Sequence, residues 1–252
     1  MADGLPELSL IIPAYNEAAR LPAFLDASLQ WLGQCGLSFE VIVVDDGSND
    51  GTAQAVRGRA QPGLVLLCHD KNSGKGAAVR TGMLAARGAL RLFADADGAT
   101  AMDELPGLLQ AVKQGAHIAI ASREGGGKRV QVSGLRKFLG RWFNRVIRMG
   151  SISGLRDTQC GFKLFATEAA WGLFALSQED GYAFDVEVLF LAQRKSMSIV
   201  EVPVNWTEMP GSKVSVWRDG MKMLRAVRRI KRRWRQGGYE NPPLAHTPVK
   251  EG

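Results

Sequence analysis

Val41-Ile42-Val43-Val44-Asp45-Asp46-Gly47-Ser48 sets four β-branched residues in a row directly before four polar or small ones. A strand with one wet face alternates apolar and polar positions. A continuous β-branched run marks a strand covered on both faces, as in a parallel sheet. The polar half is turn chemistry. The same pattern recurs on either side. Leu8 to Ile12 is a short apolar run closed by Pro13, and Leu64 to Leu67 and Ala89 to Ala94 read as further strands. Pro22 suits the first turn of a helix with Leu21, Leu25, Leu29 and Leu32 at helical spacing, and Asp50 is placed to cap the next one. Ala77 to Arg87 and Leu105 to Val112 read as helices, and His117 to Ala121 as a strand. Strands alternating with helices predict an α/β fold, doubly wound around a mostly parallel, Rossmann-like sheet.

Ligands of such sheets bind outside the carboxyl ends of the strands. Every polar cluster so far follows a strand: Tyr15-Asn16-Glu17, Asp45-Asp46, His69 to Gly76, Asp95-Ala96-Asp97-Gly98 and Ser122-Arg123. These clusters would share one rim. Asp95 and Asp97 are two apart, so in an extended segment they face the same side. Two converging carboxylates are hard-oxygen ligands for Mg²⁺ or Mn²⁺, usually shared with substrate phosphates. The second half is less regular. Asp157 to Lys163 precedes a helix near Glu168 to Leu176. Phe184 to Arg194 reads as a helix with Asp185 and Glu187 near its start, and Ile199 to Trp206 as a strand. Residues 1–236 read as one domain, and 237–252, with Pro242, Pro243 and Pro248, as a disordered tail.

Composition excludes several classes. Cys35, Cys68 and Cys160 have neither zinc-site spacing nor a disulfide framework, which fits a reducing compartment. No apolar run reaches the ~18–20 residues that span a bilayer. Gly74-Lys75-Gly76 lacks the rest of a P-loop, and no G-x-G-x-x-G follows the first strand. Net charge is +7, but two stretches, Lys128 to Gly150 and Lys213 to Arg235, carry +16 between them and leave −9 for the remainder. Both read as amphipathic helices, near 135–149 and 214–235, with aromatic apolar faces opposite Lys/Arg faces. That pattern describes helices lying in an anionic membrane interface. No nucleic-acid reader fold is visible, so nucleic acid is not the expected partner.

Pro13-Ala14-Tyr15-Asn16-Glu17, Val44-Asp45-Asp46-Gly47-Ser48, Asn72-Ser73-Gly74-Lys75-Gly76 and Asp95-Ala96-Asp97-Gly98 together resemble family 2 glycosyltransferases of the GT-A fold. Asp95 to Thr100, Asp157 to Phe165, Phe184 to Glu187 and Glu201 to Lys213 are similar to the dolichyl-phosphate β-glucosyltransferase branch of that family. The resemblance implies transfer of a hexose, glucose from UDP-glucose, to a polyprenyl phosphate with inversion; the basic amphipathic helices would hold such an enzyme peripherally on the cytoplasmic face of a membrane. By motif it implies that Pro13, Tyr15, Glu17 and Asp46 hold the uridine, with Asp45 and Asp70 nearby and Lys75 also in the substrate site. Asp95 and Asp97 would face ribose, diphosphate and metal. Arg123 and Lys213 would meet phosphate charge, and Asp157, Gln159, Asp185 and Glu187 would line the sugar and acceptor side. A phosphate acceptor needs positioning more than deprotonation. A saccharide hydroxyl, the alternative acceptor, would need Asp157 or Asp185 as general base. A non-catalytic nucleotide-sugar-binding protein is the reading from another class.

Overall fold

The computed structural model describes residues 4–59, 61–124, 130–131, 152, 154–209, 216–240 and 249–251. Lys213 and the basic stretch near 135–149 lie outside the described residues. In chain order the elements are β1 (Leu8–Ala14), α1 (Leu21–Gln34), β2 (Phe39–Asp45), α2 (Thr52–Arg57), β3 (Leu64–His69), α3 (Lys75–Ala85) and β4 (Leu90–Ala94). A 3-10 turn (Met102–Glu104) leads into α4 (Leu105–Lys113) and β5 (Ile118–Ser122). Then come β6 (Val130–Gln131), β7 (Phe162–Ala166), α5 (Thr167–Phe174), α6 (Phe184–Arg194), β8 (Ile199–Pro203), β9 (Trp206–Thr207), α7 (Val216–Arg235) and β10 (Val249–Glu251).

Eight strands form one sheet in the order β10-β3-β2-β1-β4-β7-β5-β8, and β6 pairs with β9 apart from it. β1 through β4 are mutually parallel where they pair, as are β5 and β8, while β7 and β10 run the other way. As the β-branched run implies, β2 is buried on both faces from Glu40 to Asp45, and all of β1 is buried. Alternate residues feed two cores, since successive strand side chains point to opposite faces. Ile11, Ile42, Val44, Phe93 and Phe165 pack with α3, α5, α6 and α7. Leu10, Ile12, Val43, Leu92 and Leu164 pack with the helices α1 and α4.

The sequence reading runs Asp157 to Lys163 straight into a helix, without the reversed strand β7 that lies between them. Lys163 sits in that strand with its side chain buried, 1% exposed, against Asp185. Its placement matters for function. Antiparallel pairing sets Phe162 opposite Ala94, so the Asp157–Gly161 segment arrives at the rim where β4 ends. Two further expectations are corrected. The tail is not disordered throughout: Val249–Glu251 pairs along β3, and Tyr239 is buried with its hydroxyl donating to Glu187 at 2.6 Å. In α7, Met223, Ala226, Val227 and Ile230 are buried in the core rather than presented to lipid. Each large apolar side chain buried there contributes about 1.5–3 kcal/mol, so much of that face serves the fold, while Met221 on the same helix stays 52% exposed. Lys222, Arg225, Arg228, Arg232 and Arg235 remain exposed.

Candidate active site

The rim is stitched together turn by turn. Asn16 has a positive φ of 52°, a conformation asparagine tolerates better than most side chains. From there its N–H donates to Ser48 Oγ at 2.8 Å, and its Oδ1 accepts from the Asn49 N–H at 3.0 Å. The Glu17 N–H donates to Thr52 Oγ1 at 2.8 Å, and the Ala18 N–H to Asp50 Oδ2 at 3.1 Å. These bonds lock the turn after β1 onto the turn after β2. Asp46 does the same for the turn after β3: its carboxylate accepts the Ser73 and Gly74 N–H groups, each at 2.8 Å, and faces His69 Nδ1 at 2.7 Å.

Between these turns lies a cleft of about 400 Å³, lined by Pro13, Tyr15, Glu17, Arg20, Asp46, Lys75, Asp95 and Asp97 among others. That is within the size range of small-molecule sites. Tyr15 presents an exposed ring at its edge, 38% accessible. Glu17 holds Arg20 through its Nε at 2.7 Å and Nη2 at 2.5 Å, and Arg20 Nη1 lies 3.9 Å from Asp97 Oδ2. Lys75, the first residue of α3, places its ammonium 2.6 Å from Asp95 Oδ1. Burial alone would lower the Lys75 pKa, but the charges of Asp95 and Asp185 more than offset it and raise it.

The two rim carboxylates differ. Asp95 is backed by the reversed strand: its N–H donates to the Gly161 carbonyl at 2.9 Å, and a Cβ on Gly161 would overlap the Asp95 carboxylate itself. Only glycine leaves that space. Gly161→Ala should therefore displace Asp95 and lower turnover on the order of 10²-fold, the usual cost of a misplacement near 1 Å. Steady-state kinetics checks this, with circular dichroism to show that the fold persists.

Asp97 is held above the ordinary carboxylate range by burial and then by the Asp95 charge, against the Ala99 N–H bond and the cations Arg20 and Lys75. Among the described residues no group of three or more His, Cys, Asp or Glu converges on a metal position. Two neighbouring carboxylates, Asp95 with Lys75 beside it and Asp97 with Arg20 at 3.9 Å, suit Mg²⁺ or Mn²⁺, which keep water and substrate oxygens as their other ligands. A raised folded-state pKa means stability that is full below the unfolded value and lost as pH rises through the folded one. A cation displaces the proton and removes that loss. Melting curves with and without Mn²⁺ should therefore diverge as pH rises through this window, and should coincide in Asp97→Asn.

The remaining expected residues fall elsewhere. Asp45 is buried and accepts the Ser48 N–H at 3.2 Å, and Asp70 is exposed; neither lines the cleft. Asp157 is fully buried and gripped by Arg123, Nε to Oδ2 at 2.7 Å and Nη2 to Oδ1 at 2.8 Å. Burial pushes its carboxyl up, but the charge and hydrogen bonds of Arg123, with Lys163 nearby, hold it below the ordinary value. Arg123 itself is raised: burial works against it, and the charge of Asp157, followed by its hydrogen bond, outweighs that. Asp185 is buried 2.5 Å from Lys163 Nζ. A general base must reach its proton and be able to take it; Asp157 and Asp185 each face a cation and lie outside the cleft lining, and burial, outweighing the Lys163 and Lys75 charges, holds the Asp185 carboxyl above the ordinary range. Glu187 lies outside the cleft lining: its Oε2 accepts the Gln178 and Glu179 N–H groups, each at 2.8 Å. Gln159 is half-buried, its N–H 3.3 Å from Asp157 Oδ1.

Arg20 and Tyr182 line the cleft without having been singled out from sequence. Arg20 could have been found, three residues after Glu17 and of opposite charge. Tyr182 has no such signal; the segment before α6 brings it there.

Residues 9–174 match the model of the family described as glycosyl transferase family 2. A dolichyl-phosphate beta-glucosyltransferase from Trichomonas vaginalis is 39% identical over 258 residues, 96% of this chain and 76% of that one. Mannosyl-3-phosphoglycerate synthase from Rubrobacter xylanophilus is similar in structure, with a TM-score of 0.68 at 21% identity, covering 95% of this chain and 77% of that one. Glucosyl-3-phosphoglycerate synthase from Mycobacterium tuberculosis, solved in complex with Mn²⁺ and uridine-diphosphate-glucose, gives 0.66 at 19% identity over 88% and 79% of the two chains. At such identities the structural likeness shows the fold, the GT-A architecture.

Proposed function

The chain belongs to glycosyl transferase family 2, and from that premise we propose that it transfers glucose from UDP-glucose to a polyprenyl phosphate of the dolichyl type, with inversion, at the cytoplasmic face of a membrane. It is a glycosyltransferase. The observation that carries the acceptor and the sugar is the 39% identity, sustained over 96% of the chain, to a protein named for that reaction. The Mn²⁺ and uridine-diphosphate-glucose named for a structural neighbour support the donor and a divalent ion.

The cleft supplies what such a transfer needs. The exposed Tyr15 ring, with Pro13 and Glu17, forms a flat wall for a uracil and its ribose. Lys75 and Arg20 bring positive charge to a diphosphate, and Asp95 and Asp97 would hold Mg²⁺ or Mn²⁺. When bound, the ion neutralises charge on the departing UDP. An acceptor phosphate oxygen forms the new bond to the anomeric carbon as the bond to UDP breaks, and the electron pair leaves with UDP. A phosphate is already anionic near neutral pH, so no proton has to move and positioning dominates. The engagement of Asp157 with Arg123, which holds that carboxyl below the ordinary range, favours this acceptor over a saccharide hydroxyl, which would need a base. The exposed cations of α7 offer on the order of 1 kcal/mol each toward an anionic leaflet.

Radiolabelled UDP-glucose, Mn²⁺ and a polyprenyl phosphate in detergent test the reading. Label should move into the organic phase; label moving only to a saccharide would sink the lipid acceptor. In a flotation assay the protein should rise with anionic vesicles and stay behind with neutral ones. Failure to float with anionic lipid would count against the membrane site.

A further inference from the structure

Behind the cleft a row of charges alternates in sign. Lys75 stands 2.6 Å from Asp95, and the buried Lys163 ammonium stands 2.5 Å from Asp185. Both ammoniums approach the same ring: Lys75 Nζ lies 5.4 Å and Lys163 Nζ 5.6 Å from the Phe93 centroid. Phe184, adjacent to Asp185, packs edge-on against that ring at 5.6 Å. Lys163 Nζ also donates to the Cys160 carbonyl at 2.6 Å, one residue before the glycine that makes room for Asp95. Lys75 lines the cleft; Lys163 and Asp185 do not.

We infer that Lys163 and Asp185 are positioning residues that act through Lys75: by satisfying Asp185, Lys163 leaves the Lys75 ammonium on Asp95, inside the cleft. A buried carboxylate without its partner is strongly unfavourable. With Lys163 neutralised, the cation left near Asp185 across the Phe93 ring is Lys75. Its flexible four-carbon stem lets the ammonium withdraw toward Asp185. Asp95 then loses its competing cation, and the cleft loses a positive charge facing an incoming diphosphate. The pair therefore sets a balance: Lys75 on Asp95 weakens uptake of a bare divalent ion and strengthens that of a nucleoside diphosphate. The diphosphate half of this inference rests on the proposed function; the metal half rests only on Asp95 and Asp97.

Mn²⁺ binding, followed by the electron paramagnetic resonance of the free ion, tests it on the full chain without turnover. Lys163→Met should bind Mn²⁺ alone about three- to tenfold more tightly and UDP about tenfold more weakly, the scale of one charged hydrogen bond. In a Lys75→Met background the same substitution should shift the Mn²⁺ constant less than about twofold, since the intermediary is gone. An equal shift in both backgrounds would mean field effects through space, and no shift in the wild-type background would mean a purely structural pair; either overturns the inference. If Lys163→Met does not fold, Asp185→Asn decides. It leaves Lys75 to Asp95 alone and should weaken Mn²⁺ binding; unchanged or tighter binding overturns the inference. A wild-type chain that binds Mn²⁺ but not UDP would overturn the nucleotide reading of the cleft, with the Mn²⁺ comparisons still deciding the role of the pair.

Discussion

Asp97→Asn should lower glycosyl transfer on the order of 10³-fold, about 4 kcal/mol of transition-state stabilisation, while the melting temperature stays level or rises slightly. The two effects have one cause. Asp97 is half-buried beside Asp95, and burial and then like charge hold its carboxyl above the ordinary range. An asparagine of nearly the same shape removes that repulsion, so the fold gains or breaks even. It also removes one of the two carboxylates expected to hold the divalent ion, so the reaction loses. Turnover measured beside calorimetry separates the possibilities. A stable Asp97→Asn protein with near wild-type turnover would show that the acidic turn is only a turn.

Arg123→Ala should have the opposite signature, with stability as its main loss. Asp157 has no exposed surface and depends on the guanidinium for two short bonds and on the Arg123 N–H for a third at 3.0 Å. Removing one partner of a buried pair typically costs 3–5 kcal/mol. The Arg123 side chain is 29% exposed and partly screened, so about 3 kcal/mol is expected here, or roughly 6–12 °C in melting temperature. The pH dependence follows from the sign of the shift. Asp157 is depressed in the folded state, so its contribution is complete above the ordinary carboxylate range and lost as pH falls through the depressed value. The deficit of Arg123→Ala should therefore shrink on acidification. Asp157→Asn added to it should recover about half the lost stability, because the stranded charge is gone. Thermal unfolding from neutral to acid pH checks all three.

The features that were legible in the sequence are those one local force decides. Val41 to Val44 allows a strand buried on both faces and little else, and polar turns after strands gather on one rim because the sheet is parallel. Asp95, Asp97, Tyr15, Glu17 and Lys75 follow from that geometry, and the structure brings them to one cleft. What stayed hidden depends on partners distant in the chain. Lys163 looks like surface until Asp185, 22 residues on, is folded against it. Glu187 at the start of a helix reads as a cleft acid, and only the fold shows it taking two backbone N–H groups and the Tyr239 hydroxyl. The basic half of α7 was visible, but whether its apolar half meets lipid or the core of its own domain depends on what packs beside it. An acidic side chain is equally at home in a cleft, a cap or a buried pair, and its spacing alone does not distinguish them.

The Arg123–Asp157 pair joins two points 34 residues apart, at the exit from β5 and just before the return through β7. It works as a clasp on an excursion of the chain, fixing where that excursion leaves the rim and where it rejoins it. Undoing the clasp would release two points at once, the exit from β5 and the approach to Gly161, whose carbonyl holds the Asp95 N–H, so damage at a pair outside the cleft would reach the acidic turn within it.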